Sequence, residues 1–176
     1  MRRILVTGAA GYLGGTLIKR LCESPWVERV VGTDIREPAA GYPKLVFDRR
    51  DIRESMDDIF ERERIDTVVH AAYVLPPIHD TKKMEEINKG GTRNILAAAV
   101  KARVRQFLYT SSTTAYGFHP DNDMPLTEES RLRGNDDLTY ARNKKEIERI
   151  FEVFTAGHPE ITVSIVRPCY VIGRGI

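Results

Sequence analysis

Cysteine is scarce in this chain, long apolar runs are absent, and neither sign of charge dominates. Only Cys22 and Cys169 are present. With no CxxC pair and no Cys/His cluster, no structural zinc site and no other metal ligand set is expected. The two cysteines read as buried or half-buried free thiols of a reducing cytoplasm. The apolar run Ile4-Leu5-Val6 behind Met1-Arg2-Arg3 stops at Thr7-Gly8, too soon for a signal peptide. No stretch reaches the ~18 apolar residues of a membrane span. The expected location is therefore cytoplasmic, with no membrane partner. Lys and Arg number 27 against 25 Asp and Glu, and basic residues run at most in pairs such as Arg49-Arg50. That balance gives no footprint for nucleic acid.

What is present is a patterned apolar fraction. Hydrophobic residues make up 41% of 176, enough for one domain with a real core. Short uninterrupted apolar runs alternate with helical periodicity. The runs Arg3–Thr7, Arg29–Thr33, Lys44–Phe47, Asp66–Ala72, Gln106–Ser111 and Ile161–Val166 read as strands buried on both faces. Between them Tyr12–Leu21, Ile52–Glu63, Met84–Arg103 and Leu138–Phe154 repeat apolar residues at helical spacing. A polar loop fills Phe118–Asp136. Strand–helix alternation predicts an α/β fold, a doubly wound parallel sheet joined by right-handed crossovers. Nothing marks a linker or a repeat, so residues 1–176 are read as one domain.

The first strand runs into Gly8-Ala9-Ala10-Gly11-Tyr12-Leu13-Gly14 and then a helix. Glycines there let backbone N–H groups approach a phosphate with no Cβ in the way. The helix N-terminus adds its dipole and unpaired N–H groups. The plainer alternative is a tight turn with close helix–strand packing. A second signal is Asp34, which closes the second strand 20 residues after Gly14. A carboxylate there can accept hydrogen bonds from adenosine ribose hydroxyls. The pair points to a dinucleotide site. Asp34 repels the extra phosphate of NADP and favours NAD, while Arg36 keeps NADP open.

Tyr140 and Lys144 stand four residues apart on a helix, hence on one face. A free phenol has a pKa near ~10 and is a poor base at neutral pH. A nearby cation favours the phenolate. A shift of about three units requires on the order of 4 kcal/mol of differential stabilisation. A solvated helix face is the alternative reading. The fifth strand ends in Thr110-Ser111-Ser112-Thr113-Thr114, at the sheet edge where ligands sit in open α/β folds. A hydroxyl there either orients a substrate oxygen or caps backbone groups in a turn. His70 reads as a satisfied core histidine, His79 as a loop residue and Trp26 as a packing residue.

The series Val6-Thr7-Gly8-Ala9-Ala10-Gly11-Tyr12-Leu13-Gly14, Asp51-Ile52-Arg53, Val69-His70-Ala71-Ala72, Asn88-Lys89-Gly90-Gly91-Thr92, Ser111-Ser112 before Tyr116-Gly117, Tyr140 with Lys144, and Arg167-Pro168 resembles the extended short-chain dehydrogenase/reductases. Within these the likeness is to the NAD-dependent epimerase/dehydratase group. The resemblance covers essentially the whole chain and implies a Rossmann fold. It further implies that Tyr12 and Leu13 contact the pyrophosphate, that Asp34 holds the ribose, and that Asp51 and Ile52 flank the adenine. Ala71 and Ala72 would line the cofactor, with Asn88 near its nicotinamide half. Ser112, Tyr140 and Lys144 would be the catalytic set. Tyr140 would be the acid/base and Lys144 its partner, also bonding the nicotinamide ribose. The implied reaction is hydride transfer at a secondary alcohol, largely of nucleotide sugars.

The chain departs from that pattern in three ways. Tyr73-Val74-Leu75-Pro76-Pro77-Ile78-His79 is apolar where sugar-active relatives are often polar, so a less polar alcohol or ketone stays open. Thr113-Thr114 stands where a dehydratase carries an Asp-Glu pair, which argues against 4,6-dehydration. The chain is also about half the family's usual length, which implies an absent C-terminal substrate lobe. The readings left open are an oxidoreductase or epimerase represented by its cofactor domain, a non-catalytic NAD-binding module, and a truncated longer enzyme. Homodimerisation through Met84–Arg103 and Leu138–Phe154 is an expectation of the resemblance alone.

Overall fold

The computed structural model describes residues 1–75 and 80–173. The strands are β1 (Arg2–Thr7), β2 (Val27–Asp34), β3 (Leu45–Arg49), β4 (Thr67–His70), β5 (Gln106–Thr110) and β6 (Thr162–Val166). The α-helices are α1 (Tyr12–Glu23), α2 (Asp57–Glu63), α3 (Thr81–Glu85), α4 (Gly91–Lys101) and α5 (Thr139–Gly157). The six strands form one parallel sheet in the order β3-β2-β1-β4-β5-β6. This is the doubly wound Rossmann arrangement expected from the strand–helix alternation. The order reverses between β1 and β4, where Thr7 pairs with His70. A crevice opens at such a reversal, beyond the C-terminal ends of the strands.

Two apolar layers cover the sheet. On one side α1 buries Ile18, Leu21 and Cys22 against Ile4, Val6, Val30 and Val69. On the other, Ile59 and Phe60 of α2, Ile95 and Leu96 of α4, and Ile147 and Phe151 of α5 pack on Leu5, Val68 and Phe107. Alternate strand residues feed opposite layers, as the pleat requires. The inward stripe of α5 also carries two ionisable side chains, Lys144 and Glu148, each 3% exposed. Such groups are rarely buried without partners.

Among the element boundaries that differ from the sequence reading, three bear on the site. The helix expected from Ile52 begins at Asp57. Asp51 and Glu54 instead tie a turn, with Arg53 N–H donating to Asp51 Oδ1 at 2.9 Å and Asp51 N–H to Glu54 Oε1 at 2.9 Å. Side chains of this kind compete with the helix for backbone groups. The fourth strand stops at His70 rather than Ala72, because Ala72 N–H donates to the Thr7 hydroxyl at 3.1 Å. The long helix expected over Met84–Arg103 begins earlier, at Thr81, and contains a π-helical turn, Glu86–Gly90. π-turns often accompany functional sites.

Two packing expectations are corrected. Trp26 is 55% exposed, and Cys169 is an exposed free thiol while Cys22 is buried. Trp26 precedes β2 and Cys169 lies three residues past β6, so the pleat gives neither an inward direction. His79 and the apolar residues 76–78 lie outside the described residues.

Candidate active site

The turn after β1 is shaped by close approach. Gly8 has φ +74°, and a Cβ there would lie 2.8 Å from the Ala72 nitrogen. A Cβ on Gly14 would lie 2.1 Å from the Gly8 carbonyl oxygen. The first turn of α1 thus rests directly on the loop. Gly11 is the N-cap and brings no capping side chain, so N–H groups of that turn remain open to an anion. Beside this turn, at the end of β2, the Asp34 carboxylate accepts from Ala10 N–H and Arg36 N–H, both at 3.0 Å.

A cleft of about 390 Å³ brings together Gly8, Gly11, Asp34, Asp51, Ile52, Ala71 and Ala72. Val74, Leu75 and Ile87 make its far wall apolar. Asp51 is also gripped by its neighbour. The Arg53 guanidinium, 2.7 Å away, holds the Asp51 carboxyl below the usual carboxylate range. Tyr12 and Leu13 line a separate groove between α1 and β6. Gly14 lies buried beneath the turn. Asn88 stands behind the cleft wall. Its amide accepts from Val74 N–H at 2.8 Å and donates to the Val74 carbonyl at 3.2 Å, fixing that wall from the π-turn.

His70 ties these parts together. Thr92 Oγ1 donates to the Asn88 carbonyl at 2.6 Å, so it accepts from His70 Nε2 at 3.0 Å. His70 Nδ1 then accepts from Thr7 Oγ1 at 2.7 Å, and Thr7 Oγ1 accepts from Ala72 N–H. The chain of donors fixes one neutral tautomer. Burial pushes the His70 pKa down to about 3, with the Lys144 charge adding to the shift. The unfolded state therefore binds the extra proton first, and stability falls as pH drops below about 6.5. Between pH 7 and 5 this one residue costs about 2 kcal/mol. Urea unfolding of the wild type at the two pH values should show that loss, and His70→Gln should flatten the dependence. An equal dependence in the variant would refute the assignment.

The hydroxyl-rich turn follows β5 as a 3-10 segment, Thr113–Tyr116, with Ser112 as its N-cap. Ser112 Oγ accepts from Thr114 N–H at 3.3 Å, which leaves its own proton free to donate. The turn-capping reading of that hydroxyl is observed, and capping uses only its acceptor side. Tyr140 and Lys144 share one face of α5. Lys144 Nζ lies 5.7 Å from the Tyr140 ring centroid. It donates to the Thr110 carbonyl at 2.9 Å and to Tyr109 Oη at 3.3 Å. Burial lowers its pKa to about 7, partly offset by Glu148. The cation expected to favour a phenolate is thus present below neutrality and fades above it.

Glu148 was not anticipated. Its carboxylate, 2% exposed, takes a bidentate pair from Arg167, with Nη2 to Oε2 at 2.6 Å. It also accepts from the Ser111 hydroxyl at 2.5 Å. Arg167 Nη1 continues to Tyr116 Oη at 2.8 Å. The network joins α5, β6 and the turn that carries Ser112. The available signal was spacing, because Glu148 lies four residues beyond Lys144 on the same face.

Comparison with known proteins bears on the same region. A family model described as the NAD dependent epimerase/dehydratase family matches residues 4–175. An uncharacterised protein of Mycobacterium tuberculosis is 31% identical over 178 residues, covering 97% of this chain and 47% of its own length. A UDP-glucose 4-epimerase of Yersinia enterocolitica is 29% identical, covering 93% of this chain and 52% of its own. Among solved structures, the Bordetella bronchiseptica enzyme WbmH in complex with NAD+ superposes with a TM-score of 0.83 at 25% identity, covering 98% and 57% of the two chains. MoeE5 in complex with UDP-glucose and NAD does so with a TM-score of 0.79 at 29% identity, covering 94% and 53%. The chain spans about half the length of the curated relatives it matches. No helix of the described residues is long and apolar enough to cross a membrane. With a family match over nearly all its residues, the chain belongs to the NAD dependent epimerase/dehydratase family.

Proposed function

We propose that this chain binds NAD in the crevice between β1 and β4, and that in the complete natural polypeptide it serves hydride transfer at a secondary alcohol of a nucleotide sugar. An epimerase and a dehydrogenase would share this chemistry. The observation that carries the reading is Tyr140 on the same face of α5 as a buried lysine, close to the cleft that begins at Gly8. The residues fit the cofactor. Gly8 and Gly11 line the cleft without side chains, the α1 N-terminus has no side-chain cap, and the Asp34 carboxylate lines the same cleft. Gly8, Gly11 and the first turn of α1 would hold the pyrophosphate, and Asp34 the adenosine ribose.

NAD, when bound, supplies a hydride acceptor and donor. The chain supplies the rest. Tyr140 Oη takes the hydroxyl proton and returns it. Ser112 Oγ, with its proton uncommitted, orients the substrate oxygen. Lys144 holds positive charge near the phenol while it is protonated. The UDP-sugar relatives favour a nucleotide sugar as the substrate. The test is nicotinamide absorbance near ~340 nm after adding UDP-hexoses or simple alcohols to the NAD-loaded complete polypeptide. A reduced-nicotinamide signal or epimerised sugar supports the reading. NAD binding with neither, across the panel, would make the protein a binding module.

A further inference from the structure

Tyr73 follows Ala71-Ala72 and lines the cleft, yet it also reaches the proton-handling pair. Lys144 Nζ lies 4.0 Å from the centroid of its ring. The ring stands at 83° to that of Tyr140, with centroids 5.4 Å apart. Tyr109, at 5.1 Å from Nζ, and Tyr140 complete an aromatic surround. Among the described residues, neither the buried Tyr73 hydroxyl nor the Asn143 amide that faces it makes a hydrogen bond. The phenol's defined contacts are made by its ring, to the Lys144 ammonium and the Tyr140 ring.

We propose that Tyr73 is a positioning residue whose ring face holds the Lys144 ammonium at the Thr110 carbonyl and packs Tyr140 beside it. A ring face attracts a cation most strongly where water is excluded, and Lys144 is 3% exposed. The other groups facing the ammonium are Tyr109 and the Thr110 carbonyl from β5, Tyr140 and Glu148 from α5, and neutral His70 from β4. Glu148 is already committed to Arg167. Tyr73 is thus the partner that contacts both members of the pair. The mechanistic meaning of this placement rests on the proposed roles of Tyr140 and Lys144, but the contact can be tested without them.

The experiment is a pH titration of the 176-residue chain labelled with 13C at lysine Cε, with Lys144→Met identifying the signal. Wild type should titrate near pH 7, the value burial imposes. Tyr73→Phe keeps the ring and should leave the midpoint unchanged. Tyr73→Leu stays apolar but has no π face, so the midpoint should fall by about one unit. Tyr73→Met serves as a second ring-free variant should the Leu variant not fold. An unchanged or raised midpoint in a folded ring-free variant would overturn the proposal. Failure of the hydride-transfer reading would appear separately, as full turnover by Tyr140→Phe with the lysine shift intact.

Discussion

Tyr140→Phe lowers turnover of the complete polypeptide by roughly 10²–10⁴-fold, the range for removing a positioned acid–base group. The substitution takes away one oxygen and keeps the ring. The perpendicular contact with Tyr73 survives, as does the ring near Lys144 Nζ. NAD affinity and the unfolding midpoint should therefore stay within about 0.5 kcal/mol of wild type, as for a change that leaves packing intact. The loss should fall on kcat, because the proton is held only as the reaction proceeds. Steady-state kinetics with calorimetric cofactor titration would read both quantities. Turnover near the wild-type value would remove Tyr140 from the chemistry. Turnover lost together with folding would make its role one of packing.

Gly14→Val should have the larger effect on the fold and on cofactor binding. A Cβ at this position meets the Gly8 carbonyl oxygen at 2.1 Å and the Gly8 carbonyl carbon at 2.8 Å. Both are backbone atoms of the turn that would cradle the pyrophosphate, and no flexible side chain can yield. Helix α1 must shift outward, which loosens Ile18 and Leu21 from the sheet. Overpacking of this kind costs about 1–3 kcal/mol or more. Moving the helix also withdraws its N-terminal N–H groups from the cleft, so NAD affinity should fall by about 100-fold or more, equivalent to roughly 3 kcal/mol. Gly15→Ala provides the control. A Cβ there meets only the Ala9 carbonyl oxygen at 3.5 Å, an ordinary contact. Denaturant melts and NAD titration of the two variants separate crowding at the turn from a general helix effect. Equal behaviour of both variants would contradict the packing argument.

The parts legible in the sequence were those fixed by local spacing. Gly8, Gly11 and Gly14 fall within one strand–turn–helix, and Asp34 ends the next strand. Tyr140 and Lys144 share a face because one helical turn separates them. The apolar runs showed the parallel sheet because burial on both faces suppresses alternation. What stayed hidden depends on closure between distant elements. Arg167 reaches Glu148 only once β6 lies beside β5 and α5 packs over them. Tyr73 reaches Lys144 only because α5 brings the lysine beside the segment that follows β4. Neither contact leaves a periodic trace. The Asp51–Glu54 turn was misread as helix because Ile52 and Met56 keep a helical spacing while their neighbours' carboxylates hold the backbone elsewhere. The π-turn was invisible for a similar reason. Its distinguishing contact is Asn88 with Val74, which a one-dimensional pattern does not encode.

We propose that Asp34 selects NAD over NADP at the crevice between β1 and β4. Calorimetric titration of the 176-residue chain with NAD and with NADP tests it most directly. NAD should bind saturably and NADP more weakly, because the ribose phosphate would meet a carboxylate already anchored by two backbone N–H groups. Absent binding of either, or tighter binding of NADP, would contradict it.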